Sequence, residues 1–75
     1  MSESTVAEQL NAELIQVERD LDGARRQAAE IRSGVGEADD PADRGALIQA
    51  ADEQDTIADE LVIRRETLLR RIAEL

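Results

Sequence analysis

The chain lacks cysteine, histidine, lysine and every aromatic residue, and it carries a single proline. Without cysteine or histidine it has no disulfide, thiol nucleophile, imidazole acid or base, or ordinary zinc ligand set. A metal site would have to be built from carboxylates alone. Without Trp, Tyr or Phe there is no bulky core, and a chain of 75 residues buries little of its surface, so a compact globular domain is not expected. No apolar run approaches the roughly 18 residues that span a bilayer, and the start, Met1 to Val6, is polar and acidic, unlike a signal peptide. The expectation is a cytoplasmic protein with no membrane partner.

What remains is Ala, Leu, Ile and Val among 36% charged residues, a composition suited to long helices in water. The net charge of -9 opposes direct binding to nucleic acid phosphates or anionic lipid, which would repel the chain, and favours a basic partner surface. All nine basic residues are arginine, so surface ion pairs are expected to be made by guanidinium groups.

In the first half, Ala7, Leu10, Leu14, Val17, Leu21, Ala24, Ala28, Ile31 and Val35 follow one another by alternating steps of three and four, the spacing of a heptad seam. Ser2 or Ser4 can cap the start, and Ser33, Gly34 and Gly36 mark the end, where glycine is expected to close the helix in a left-handed conformation. Helix 1 is therefore expected over about residues 3–33. Asp22 with Arg26, and Arg26 with Glu30, stand one turn apart and can pair.

The second half opens with Asp40 as N-cap, Pro41 at the first helical position, where its missing N–H costs nothing, and Asp43 facing the helix dipole. Helix 2 is expected over about 41–75, with an apolar face of Leu47, Ile48, Ala51, Ala58, Leu61, Val62, Leu68, Leu69, Ile72 and Leu75. Gln54 or Asp55, and Arg65, interrupt that face and must reach solvent or a partner. Gln54, Asp55 and Thr56 can supply an inter-helix polar contact that sets register. Glu60 with Arg64 and Glu66 with Arg70 are further expected pairs.

A short acidic tip, about residues 34–43, between two helices of similar length requires them to lie antiparallel. One continuous helix would have to hold Gly34, Gly36 and Pro41, at about 1 kcal/mol for each glycine and about 3 kcal/mol for the proline. The fold expected is all-α, an antiparallel two-helix coiled-coil hairpin. Its single seam is rich in alanine, so stability is marginal. The wide face of helix 2 is expected to be covered by a second copy, in a homodimeric four-helix bundle, or by a further domain.

The run Asp40, Pro41, Ala42, Asp43, Arg44 between two coiled-coil arms, with Arg64, Arg65, Arg70 and Arg71 in the second arm, resembles the DksA/TraR family. Members of that family insert a coiled-coil hairpin into the secondary channel of bacterial RNA polymerase, with tip aspartates near the catalytic centre. They alter initiation at sensitive promoters, in DksA together with ppGpp. The resemblance implies that Asp40 and Asp43 correspond to the two tip aspartates and that Arg44 and Gly45 share the partner-binding tip. Gly45 stands where the family commonly has alanine. It also makes Arg64, Arg65, Arg70 and Arg71 candidate docking residues. The specific match is about six residues within 37–75, and the family's cysteine-type zinc finger is absent, so the chain is expected to be either the coiled-coil region of a longer protein or a variant without the finger.

Simpler readings stand beside these. Asp40, Pro41 and Asp43 form a good helix start with no partner at all, and the arginines, flanked by acids, are commonly just solvated. Glu37, Asp39, Asp40 and Asp43 lack the ligand spacing and glycine of a calcium loop, so no metal or other cofactor is expected. No nucleophile and base stand together, so no catalytic residue is assigned and an enzyme is not expected. The alternative function is a self-associating hairpin with a structural or adaptor role, in which the tip is only a turn.

Overall fold

The computed structural model describes residues 3–75, with side chains from Thr5 onward. Two helices of 33 residues, α1 (Glu3–Val35) and α2 (Pro41–Ala73), pack against each other as a hairpin, and no strand occurs among the described residues. The molecule is a rod with extents of 58 × 15 × 14 Å. Its length is close to that of one helix at about 1.5 Å per residue. Of the two proposed starting caps, Ser4 falls inside α1 and Ser2 lies outside the described residues.

The end of α1 differs from expectation. Gly34 is helical, α1 runs on to Val35, and no described glycine has a positive φ. The chain leaves the helix through two successive tight turns instead, in which the Glu37 amide donates to the Gly34 carbonyl at 3.2 Å and the Ala38 amide to the Val35 carbonyl at 3.3 Å. Bonds from i+3 to i satisfy the last carbonyls without the left-handed residue that a glycine cap would supply. At its other end, α2 stops at Ala73, and the Glu74 and Leu75 amides donate back to the Arg70 and Ile72 carbonyls.

The seam is built as the heptads predict, and it tapers. Towards the open end, Leu68 is fully buried between Leu10 and Val17, with Val6, Leu14, Leu61 and Ile72 packed around them. In the middle, Leu21 and Ala24 meet Ala58, flanked by Leu61 and Val62. Nearer the tip the buried residues are Ala28 and Ala51. Alanine lets two backbones approach closely but removes little apolar area from water, so the tip half gains less from burial than the open half.

Ile48, Leu69 and Leu75, expected on the buried face, remain about half exposed. Ile48 and Leu69 are separated by multiples of seven from Val62 and form a stripe beside the seam, while Leu75 lies beyond the end of α2. The intrahelical pairs also fare unevenly. Asp22 and Arg26 pair at 3.2 Å. No ion pair joins Arg26 to Glu30, Glu60 to Arg64 or Glu66 to Arg70 among the described residues; Arg26 is held by Asp22, and Arg64 crosses the hairpin to Glu13 at 2.8 Å.

The taper makes one buried leucine decisive. Leu68→Ala should cost about 2–5 kcal/mol, enough to remove the cooperative thermal transition followed by circular dichroism. Ile63→Ala, at a residue 65% exposed, should stay within about 0.5 kcal/mol of the parent.

Candidate functional site

The tip is assembled by the start of α2. Asp40 has extended backbone (φ -88°, ψ 126°), its side chain accepts the Ala42 amide at 2.9 Å, and its carbonyl accepts the Arg44 amide at 3.0 Å. It is therefore the N-cap, with Pro41 in the first turn and Asp43 facing the positive end of the helix. Glu37, Asp39, Asp40 and Asp43 are all exposed here, as are Arg44 and Gly45. Arg44 makes no ion pair among the described residues, so acidic charge gathers at one end of a narrow rod. No group of three or more acidic side chains is placed to hold a metal ion among the described residues.

One oxygen of Asp40 is already engaged by the cap, whereas the Asp43 carboxylate has no hydrogen bond or ion pair among the described residues. The two aspartates are thus not equivalent. Asp40 organises the turn, and Asp43 is the carboxylate free to meet a partner.

Behind the tip, an ionic clamp spans the alanine-rich part of the seam. Arg32, in the last turn of α1, donates in a fork to both carboxylate oxygens of Asp55, through Nη1 at 3.3 Å and through Nη2, and Nη2 also reaches Asp52 at 3.2 Å. The hydrogen bond from Arg32 holds the Asp55 carboxyl below its ordinary value, and the same bond raises the Arg32 guanidinium further. Asp55 is thereby the polar seam residue that finds a cross-hairpin partner. Gln54 stays half-buried, and Thr56 turns back to the Asp52 carbonyl at 3.1 Å within its own helix.

The four candidate docking arginines do not share one role. Arg64 is engaged by Glu13, and Arg65 lies half-buried on the seam without an ion pair among the described residues. Arg70 and Arg71 are exposed in the last turn of α2, at the end of the rod opposite the tip. Two features were not singled out from the sequence. One is Arg32, whose clamp follows once the two heptads are written antiparallel, because Arg32 and Asp55 then occupy equivalent flanking positions facing each other. The other is a shallow groove of about 590 Å³ midway along the rod, lined by Gly23, Ala24, Gln54, Ile57 and Leu61 and edged by charged residues.

The cap and the charge of Asp40 can be separated. Asp40→Ala should lower stability by about 1 kcal/mol, whereas Asp40→Asn, a comparable cap, should be nearly neutral in denaturant unfolding. The clamp gives a pH signature. Because the folded-state pKa of Asp55 is lowered, its contribution is complete above the unfolded value of about 3.9 and is lost as pH falls through the folded value. The difference in melting temperature between the parent and Asp55→Asn should therefore be present at neutral pH and vanish under acid, whatever the other carboxylates do.

In comparisons with known proteins, no family model matches the chain, and neither a curated protein nor a solved structure matches it.

Proposed function

We propose that this hairpin regulates bacterial RNA polymerase by inserting its acidic tip into the secondary channel. The observation that carries the reading is the concentration of exposed carboxylates around Asp43 at the end of a rod about 15 Å thick. The resemblance of Asp40 to Arg44 to the DksA/TraR tip supplies the partner. A rod of this shape delivers charge to the bottom of a narrow channel while its stalk occupies the passage.

In this reading, Asp43 acts near the catalytic Mg²⁺, where a carboxylate can attract the metal or its water ligands and shift the balance between closed and open promoter complexes. Asp40 holds the first turn of α2, so that Asp43 is presented in one orientation. Arg44 and Gly45 form the adjoining surface. Docking outside the channel falls to Arg70 and Arg71, since Arg64 is engaged by Glu13 and Arg65 lies on the seam.

The test is binding of labelled protein to bacterial core RNA polymerase in competition with a known secondary-channel factor, alongside transcription from a sensitive promoter. Displaceable binding at micromolar concentration is expected. Asp40→Asn/Asp43→Asn should keep most of that binding and lose the transcriptional effect. Absence of displaceable binding, or a double variant with full effect, would contradict the proposal.

A further inference from the structure

The groove midway along the rod has an unusual floor. Gly23 lies in the interior of α1, where glycine is the poorest ordinary helix former. Its backbone does not demand glycine, because φ is not positive, and a Cβ built there meets nothing within 4 Å. Nothing inside the hairpin therefore calls for the missing side chain. Across the groove stands Ile57, the central residue of α2 and 44% exposed. A notch and an apolar side chain thus sit together at the middle of the molecule, the position through which a two-fold axis can relate two antiparallel rods.

We propose that a second copy of this chain packs antiparallel across the groove, with the two-fold axis passing beside Gly23 on α1 and Ile57 on α2. Each α1 then faces the other α1, approaching closely where Gly23 meets its symmetry mate, and the two Ile57 side chains pack on each other. Two pairs of opposite charges fit this axis. Asp20 and Arg26 lie three residues to either side of Gly23, so each Asp20 comes opposite the other copy's Arg26. Asp43 and Arg71 lie fourteen residues to either side of Ile57, so each Asp43 comes opposite the other copy's Arg71. Asp20, Arg26 and Ile57 all line the groove. One long face of a rod 58 Å by 15 Å offers about the 800 Å² per partner of a standard interface. The inference does not depend on the polymerase reading, which requires the monomer because the dimer engages Asp43 and Arg71.

Sedimentation equilibrium over a range of concentrations, with helicity followed by circular dichroism, tests the dimer. The parent should pass from the 8.2 kDa monomer to twice that mass. Gly23→Gln, which fills the notch with a better helix former, and Ile57→Glu should each weaken dimerisation at least tenfold with helicity retained. Ile63→Glu, at an exposed residue outside the groove, should not. Asp43→Arg should weaken the dimer, and Asp43→Arg/Arg71→Asp should restore it. Those two positions are about 40 Å apart in one hairpin at about 1.5 Å per residue, so only an antiparallel partner can bring them together. A chain that stays monomeric at millimolar concentration, a dimer indifferent to both groove variants, or no restoration by the double reversal would overturn the proposal. Binding of the monomer to polymerase is measured separately, so failure of either reading leaves the other standing.

Discussion

Everything in this molecule depends on one seam. Two helices can bury apolar residues only along the line where they touch, and Leu68, Leu10, Val17 and Leu21 are the large side chains buried on that line among the described residues. With no second layer to share the load, each buried leucine carries a large fraction of a marginal total. The taper from leucine to alanine then determines where other forces are needed. Arg32 joins Asp52 and Asp55 in the stretch where the buried residues are alanines. The groups are exposed, so the clamp is better understood as fixing register than as a large source of stability.

The same economy shapes the tip. A five-residue connection leaves little room for error, and Asp40 and Pro41 set the direction in which α2 departs. Once Asp40 is committed to the cap, Asp43 is left as an exposed carboxylate one turn further on. The arrangement needed to start a helix is thus the one that presents an acidic group at the end of the rod.

Much of the fold was legible in the sequence because its signals are local or periodic. The three-and-four spacing from Ala7 to Val35 identified the α1 seam, and Asp40 with Pro41 identified the start of α2. The end of α1 was harder to read, because glycine permits a left-handed cap without requiring one, and tight turns satisfied the carbonyls of Gly34 and Val35 instead. The pairing of arginines was also obscure within single helices. Arg64 has Glu60 one turn away but bonds Glu13 on the other helix, a choice visible only when the two heptads are aligned antiparallel. The groove at Gly23 depends on both helices at once, so no single stretch of sequence announces it. At the candidate site, the aspartates were legible as a cap, but the division of labour between Asp40 and Asp43 required the hydrogen bond to Ala42.

The proposed role makes a spatial claim, that the side chain at position 43 reaches the interior of RNA polymerase. The most direct measurement is site-specific photo-crosslinking from a probe replacing Asp43, followed by mapping of the crosslinked polymerase peptides. The account predicts crosslinks to segments surrounding the catalytic centre that a competing secondary-channel factor abolishes. Crosslinks confined to the outer surface of the enzyme, or none, would contradict it.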